Sequence, residues 1–395
     1  PFAFRDALIR TLQSLFFRIM MPFVITLLSI ESGSGRGQVY SDRGLLALSS
    51  SHLIRFWTTM GPLEFFYYLG YSYKKYRCLK NRERLPGRVI SVGNITVGGT
   101  GKTPAVMAIA REAKQKGLHP CILTRGYKGT AKGPCFVSRG DKLLLSTDEA
   151  GDEASLMAEK MRGIPIVKGA DRFEAGMFAY REMGFHTLLF ILDDGFQHWR
   201  LHRDKDVLLI DATSPFGNRH LLPAGILREP LKEIGRADVI VITKSQQEPA
   251  GVNRTQEDLL DELRRYAPRT PIYSSEHRPV CLRNRSGEEL PLDAISGKGI
   301  FAFCGIGNPL AFRSTLMSIG AEVKEFLAFR DHYPYNQKDL KRILEGAKSH
   351  GADWIVTTEK DIMRLQGRDI PGNIVTLEIE FAIGESFYRE LLVEG

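Results

Sequence analysis

Arg88-Val89-Ile90-Ser91-Val92-Gly93-Asn94-Ile95-Thr96-Val97-Gly98-Gly99-Thr100-Gly101-Lys102-Thr103-Pro104 is an apolar run, a glycine-rich loop and a Lys-Thr pair, in that order. Glycines let backbone N–H groups turn inward around phosphate oxygens, the lysine reaches the β- and γ-phosphates, and the threonine hydroxyl suits Mg²⁺. A helix is expected from Pro104 to about Lys116, its positive end aimed at the same anion. Pro104 fits an early helical position, where its missing N–H costs nothing. The general Gly-x-x-x-x-Gly-Lys-Thr pattern wants glycine where this chain has Thr96, so Gly98 and Gly99 must supply the turn. A chance glycine-rich turn is the plain alternative; strand, loop and helix in the required order favour nucleotide binding.

Downstream, short β-branched runs alternate with helical stretches: Cys121 to Thr124, Ile164 to Val167, Thr187 to Leu192, Asp206 to Ile210 and Asp238 to Thr243. That spacing implies an α/β fold, a parallel sheet with helices on both faces. Between about 245 and 297 the text becomes turn-rich and reads as a connector. Gly299 to Cys304, a helix from about Leu310 to Ser318, and Asp353 to Thr357 then outline a second, smaller α/β domain over 298–395. The expected organisation is an N-terminal region 1–87, a P-loop NTPase-like core with its connector over 88–297, and that second domain.

The chain has 395 residues, enough for a full core. Its five cysteines are scattered and odd in number, without a Cys-x-x-Cys pair, which argues against a disulfide framework or a zinc ribbon. The net charge of +8 is uneven: residues 1–88 hold 13 Lys/Arg against 5 Asp/Glu, and the remainder carries 41 of each. The basic excess sits beside unusual hydrophobicity. Ile19 to Ile30 is uncharged, and Phe56 to Tyr73 is aromatic-rich with Glu64 its single charge, followed by Lys74, Lys75, Arg77, Lys80, Arg82, Arg84 and Arg88. Aromatic rings favour the lipid headgroup level, and basic clusters beside an apolar segment bind anionic lipid at ~1 kcal/mol per charge. The first run has 12 residues, short of the ~20 that span a bilayer. A membrane-associated helical segment is therefore expected, ahead of a buried helix or a cleaved signal peptide. A nucleic-acid partner is not expected, because no finger, RNA-binding aromatic signature or basic recognition helix accompanies the charge.

Leu188 to Leu192 is an apolar run that ends in Asp193-Asp194-Gly195, so two carboxylates stand at the C-terminal end of a strand, where open α/β sheets bind ligands. Strand-end aspartates beside a phosphate loop hold Mg²⁺ directly or through water; turn-forming acids are the alternative. His198 and His202 are four apart and fit one helical face as zinc ligands, but no third ligand accompanies them. Asp148, Glu149, Asp152 and Glu153 precede or open a helix that runs to about Met161. Capping is the default role for such acids, and a proton acceptor near the γ-phosphate is the alternative for one of them. His332, in Phe329-Arg330-Asp331-His332-Tyr333-Pro334-Tyr335, is a candidate partner for that carboxylate.

Together Val92 to Pro104, Thr124-Arg125-Gly126-Tyr127, Gly151-Asp152-Glu153-Ala154, Asp193 to His198, Leu222-Pro223-Ala224-Gly225 with Leu227-Arg228-Glu229-Pro230, and Thr358-Glu359-Lys360-Asp361 resemble the tetraacyldisaccharide 4'-kinase family, in matching order. The resemblance covers about residue 45 to the C-terminus and accounts for Thr96. Ala154 stands where the family has proline, and the first ~44 residues match no family pattern. It implies an ATP- and Mg²⁺-dependent kinase at the cytoplasmic face of the bacterial inner membrane. Such an enzyme moves the γ-phosphate of ATP to the 4'-hydroxyl of a tetraacylated glucosamine disaccharide 1-phosphate and yields lipid IV-A, so its partners are that acylated lipid and an anionic membrane surface.

By the same resemblance, Thr96, Val97, Gly98, Gly99, Thr100, Gly101, Lys102 and Thr103 bind phosphate, with Thr103, Asp193, Asp194 and Glu229 around the metal. Asp152 is the base and His332 its partner, with Lys102 counted among the residues of the chemistry. Tyr127, Gln197, His198 and Arg228 surround nucleotide or substrate. A GTPase switch or metallochaperone of the same loop class is the main alternative, although Thr243-Lys244-Ser245-Gln246 lacks the aspartate of a guanine-reading motif. A non-catalytic membrane adaptor is the third.

Overall fold

The computed structural model describes residues 61–184, 189–244, 255–365, 371 and 373–393. The apolar run 19–30, residues 56–60 of the aromatic run, the start of the expected strand at Thr187, and 245–254 lie outside them. The chain divides into two compact units, Pro1–Asn81 with Phe216–Glu229, and Arg82–Pro215 with Pro230–Gly395.

In the first unit, helix α1 (Pro62–Lys80) starts at Gly61, with Pro62 where its missing N–H is harmless. The isolated charge of the aromatic run has a structural reason. Glu64 is only 3% exposed, and its Oε1 accepts the Leu221 backbone N–H at 2.6 Å while Oε2 lies 3.0 Å from His220 Nδ1. A buried carboxylate without such partners would cost several kcal/mol; here it ties the segment 216–229 to the helix. Tyr67 OH donates to Arg228 O at 2.9 Å, and Tyr71 OH to Glu229 Oε2 at 3.4 Å. Leu63, Phe66, Tyr73, Tyr76 and Leu79 on α1 are exposed. No helix among the described residues is long and apolar enough to cross a membrane.

The second unit is built on one sheet of thirteen strands. Its first part contains β1 (Arg88–Gly93), β2 (Pro120–Thr124), β3 (Cys135–Ser138), β4 (Ile166–Lys168), β5 (Leu189–Asp193), β6 (Lys205–Asp211) and β7 (Val239–Thr243). Between them run helices α2 (Lys102–Gln115), α3 (Thr147–Ala150), α4 (Asp152–Lys160) and α5 (Arg172–Met183). After α6 (Gln256–Tyr266) come β8 (Ile272–Asn284), β9 (Glu289–Leu290), β10 (Gly299–Cys304), α7 (Pro309–Ser318), β11 (Glu322–Ala328) and α8 (Gln337–Ser349). The chain closes with β12 (Trp354–Thr358), α9 (Glu359–Met363), β13 (Ile374–Ile383) and α10 (Glu385–Leu392). The strand order is β11-β10-β12-β13-β8-β7-β6-β1-β5-β2-β4-β3, with β9 beside β8.

Strand alternation explains why helices cover both faces. Ile90 and Val92 of β1, with Leu189 and Ile191 of β5, join the core under α2 and α4, while Val89, Phe190 and Leu192 join the one under α5. Each such buried side chain contributes ~1.5–3 kcal/mol. The same alternation recurs in β10, where Ile300 and Ala302 face one cluster and Phe301 and Phe303 the other.

The span 245–297, read as a connector, contains α6 and the long strand β8. Charged residues, His277 and Pro279 break the apolar pattern of β8, because one side of it is largely solvated. This strand also sets the architecture. Its first residues pair parallel with β7 (Thr243↔Ser275), and the rest pairs antiparallel with β13, from Ser275↔Ile383 to Asn284↔Val375. The strands β10, β11, β12 and β13 are parallel to one another and therefore run opposite to β7, β6, β1, β5, β2 and β4, while β3 is antiparallel to β4. Because the end of β13 meets the end of β7 on β8, the C-terminal edges of the two sets face each other. Ligands bind at such edges in α/β sheets, so the loops after β1, β2 and β5 confront those after β10, β11 and β12.

Candidate active site

The loop after β1 reaches α2 through Gly101, at φ +81°, and Gly98 has φ +115°. Both lie where L side chains are strained, which is why glycine stands there. Thr100 and Thr103 are buried, Val97, Gly98 and Gly99 are exposed, and Thr96 is buried with its hydroxyl accepting from Asn94 Nδ2 at 3.4 Å. The loop is braced from β7 and β8: Thr243 Oγ1 donates to Thr100 O at 3.2 Å, Lys244 Nζ donates to Gly99 O at 3.1 Å, and the His277 ring packs against Gly101. Lys244 also pairs with Asp211. Burial, then the Lys244 charge, depresses the His277 pKa to about 4, so a neutral imidazole backs the loop.

A Cβ at residue 101 would meet both a left-handed backbone and the His277 ring. Backbone strain of ~1–2 kcal/mol and the displaced ring should weaken ATP binding by about tenfold or more in the Gly101→Ala protein. Calorimetric titration with ATP checks this, and an unchanged affinity would show that the loop does not need its left-handed turn.

Lys102 Nζ donates to Asn94 Oδ1 at 3.2 Å and lies 3.7 Å from Asp194 Oδ1. Asn94 O also accepts from Gln197 Nε2 at 2.8 Å, which joins the loop to the turn after β5. That turn is tight: Asp194 has φ +51°, and Gly195 N–H donates to Val92 O at 3.0 Å. Asp193 is buried and accepts from Thr124 Oγ1 at 2.9 Å. Burial, then the carboxylates of Glu153 and Asp194, pushes its carboxyl up to about 6. Such an excess of buried negative charge is what a divalent cation relieves, and two carboxylates with the Thr103 hydroxyl are the hard oxygen donors Mg²⁺ takes. Among the described residues no three acid, histidine or cysteine side chains converge on one point. Phosphate oxygens and water would therefore complete the shell, as they usually do for this ion.

Beside the cradle, α4 begins at Asp152, after Gly151 at φ +92°. The backbone of Tyr127 passes against Gly151, so the loop after β2 fixes this helix start. His332, itself at φ +55°, comes from the loop after β11. Its Nδ1 is 3.5 Å from Asp152 Oδ2, and its ring lies 5.4 Å from that of Tyr127. Lys360 of α9 pairs with Glu153. Burial opposes the Lys360 charge, yet Glu153 outweighs it and raises the ammonium pKa; Lys360, in turn, is the main cause that lowers the Glu153 carboxyl. The structure thus brings together Thr96 to Thr103, Gln197, Asp193 and Asp194 on one edge, and Asp152, His332 and Tyr127 beside them.

His198 sits in turns rather than on a helix; its carbonyl accepts from Arg203 Nη1 at 2.7 Å, and His202 Nε2 lies 2.8 Å from Arg84 Nη2. The one-face zinc geometry considered for this pair is therefore absent. Arg228 and Glu229 belong to the first unit, held by Tyr67 and Tyr71 as described. Sequence reasoning missed Asn94, which links Lys102 to Gln197, and Arg364, whose Nε donates to Asp152 Oδ2 at 2.7 Å. Asn94 lies inside the quoted loop; Arg364 carried no signal beyond its position three residues after the Thr358–Asp361 motif.

A phosphate cradle on one sheet edge, and beside it a carboxylate whose imidazole partner comes from the facing edge, define a P-loop phosphotransferase, built to hand a nucleotide phosphate to a hydroxyl. Comparison with known proteins narrows the class: the chain belongs to the tetraacyldisaccharide-1-P 4'-kinase family, whose model matches residues 56–394. It is 43% identical over 320 residues to the tetraacyldisaccharide 4'-kinase of Syntrophus aciditrophicus, covering 78% of this chain and 84% of that protein. The corresponding kinase of Aquifex aeolicus is 40% identical over 285 residues, with 72% and 81% covered. A crystal structure of LpxK from Aquifex aeolicus in complex with ATP superposes with a TM-score of 0.65 at 34% identity, covering 84% of this chain and 96% of that one. The activity is ATP-dependent 4'-phosphorylation of the lipid A precursor disaccharide, and the choice among kinase, switch and adaptor falls to the kinase.

Proposed function

We propose that Asp152 takes the proton of the sugar 4'-hydroxyl while that oxygen attacks the γ-phosphorus of ATP; the new P–O bond forms as the bond to the β–γ bridging oxygen breaks, and ADP leaves. Thr96 to Thr103 cradle the phosphates, Lys102 neutralises charge on the β- and γ-phosphates, and Gln197, His198, Tyr127 and Arg228 line nucleotide or lipid. Thr103, Asp193, Asp194 and Glu229 would hold Mg²⁺, which when bound neutralises phosphate charge. The observation that carries this reading is the approach of His332 Nδ1 to within 3.5 Å of Asp152 Oδ2, two residues supplied by opposing sheet edges. Phosphoryl transfer depends on positioning and charge neutralisation more than on covalent chemistry, and a carboxylate that accepts the proton adds ~10²–10⁴-fold.

We further infer that residues 1–87 hold the enzyme against the cytoplasmic face of the bacterial inner membrane, where its acylated, anionic substrate resides, and that no nucleic acid is involved. Residues 88–297 then act as the kinase core and 298–395 as the smaller domain that delivers His332. The exposed Leu63, Phe66, Tyr73, Tyr76 and Leu79 of α1, beside Lys74, Lys75, Arg77 and Lys80, support a lipid-facing role. Deleting residues 1–85 should move the protein from the pellet to the supernatant when it is sedimented with anionic vesicles. Reversing the charges of Lys74, Lys75 and Arg77 should weaken sedimentation on anionic but not neutral vesicles. Unchanged sedimentation of the truncated protein would refute the membrane role.

A further inference from the structure

Arg364, just beyond α9, reaches back to the Asp152–His332 pair. Its Nε donates to Asp152 Oδ2 at 2.7 Å, and its Nη2 lies 3.2 Å from His332 Nδ1. The Arg364 side chain is 5% exposed and held from behind: Nη1 donates to Gly305 O at 2.9 Å and to Asp361 Oδ1 at 2.8 Å. Asp361 is itself fully buried and accepts from Gly305 N at 3.0 Å, Thr358 Oγ1 at 2.6 Å and Tyr335 OH at 3.1 Å. A buried arginine fixed on three sides is a rigid fork rather than a mobile surface charge.

We propose that Arg364 is a positioning residue for phosphate transfer, which orients the Asp152 carboxylate and selects the His332 tautomer. A guanidinium has N–H donors and no acceptor, so His332 Nδ1 must accept from it, and the neutral ring carries its proton on Nε2. In this arrangement the 3.5 Å approach of His332 Nδ1 to Asp152 is not a hydrogen bond donated by the imidazole. Arg364, rather than His332, is the group that grips the carboxylate. Both contacts fall on Oδ2, and among the described residues Oδ1 accepts no hydrogen bond. Oδ1 is thereby turned toward the reacting hydroxyl and receives its proton, while the charge on Oδ2 stays neutralised.

The electrostatics agree. Burial alone would raise the Asp152 carboxyl, but its neighbours His332 and Arg364 outweigh it and hold it below the usual carboxylate range. The charged neighbours of the pair are Arg364 and Asp361 behind it, the Lys360–Glu153 pair beside it, Asp331 at 3.9 Å from His332 Nε2, and Lys128, which donates to His332 O at 3.3 Å. Removing Arg364 takes away a cation and lets the Asp152 pKa rise. The acidic limb of the rate profile should then move to higher pH, so activity is lost earlier as pH falls.

The inference rests on Asp152 as proton acceptor, and the experiment separates the two. In the full-length enzyme with ATP and detergent-dispersed lipid, Arg364→Gln should lower kcat by about 10²-fold, the scale of a misplaced reacting group. The KM for ATP should stay near wild type and the acidic limb should shift upward, while Arg364→Lys restores part of kcat and the original limb. If Asp152→Ala keeps wild-type kcat, the proton-acceptor reading fails. If Asp152→Ala is inactive while Arg364→Gln keeps the wild-type kcat and pH profile, the positioning role is overturned. Equal loss in the Gln and Lys variants without any pH shift would also overturn it, as that is the signature of a merely structural arginine.

Discussion

Replacing Lys102 with alanine should abolish measurable transfer of phosphate to lipid, a loss of ~10²–10³-fold or more in kcat. Lys102 sits at the first position of α2, where the helix dipole and the loop N–H groups already favour an anion. Its ammonium is held at the cradle's mouth by Asn94 and Asp194, so the charge is in place before nucleotide arrives. Alanine leaves the backbone cradle intact, and ATP should still bind, more weakly. The charge that builds on the γ-phosphate oxygens then loses its closest fixed counter-charge, and the neighbouring acids Asp194, Asp193 and Glu153 lose a partner. Steady-state rates together with ATP titration separate the two effects. Retained turnover with impaired binding would show that Lys102 serves affinity alone.

The second large effect is expected from the pair that spans the two edges. Asp152→Ala should cost ~10²–10⁴-fold, the range for loss of a positioned proton acceptor. His332→Ala should cost a similar amount, and the double substitution little more, because groups that act as one unit are strongly non-additive. The geometry supports coupling: Asp152 comes from the start of α4 and His332 from the loop after β11, so neither reaches its position without the facing edge. Full additivity in the double variant would mean that the residues act separately.

Much of this site is legible in the primary structure, for physical reasons. Residues 88–104 announce a strand, a glycine turn and a helix start, each through a residue type that tolerates few alternatives; the structure has all three, with the helix opening at Lys102, two residues before Pro104. Asp193 is equally legible, since five buried strand residues end at it. The strand β8 is not. Its side chains alternate between solvent and sheet around Pro279 and a register shift, so local hydrophobicity says nothing of a strand that joins two oppositely directed sets. Nor does sequence show that the edges face each other, because that depends on the register of Ser275 with both Thr243 and Ile383. Arg364 and Asn94 escape for a related cause: their roles lie in partners 212 and 8 residues away, and neither residue type is unusual in its local setting. Glu64, by contrast, stands out as a lone charge, and its reason becomes visible only when Leu221 and His220 meet it.

The most direct test is transfer of labelled γ-phosphate from ATP to purified tetraacyl disaccharide 1-phosphate, in detergent with Mg²⁺, by the wild-type, Lys102→Ala and Asp152→Ala proteins. Labelled lipid phosphorylated at the 4' position from wild type alone is the predicted result. Wild-type levels of labelled lipid from the Asp152→Ala protein, or ATP hydrolysis by wild type without labelled lipid, would contradict the account.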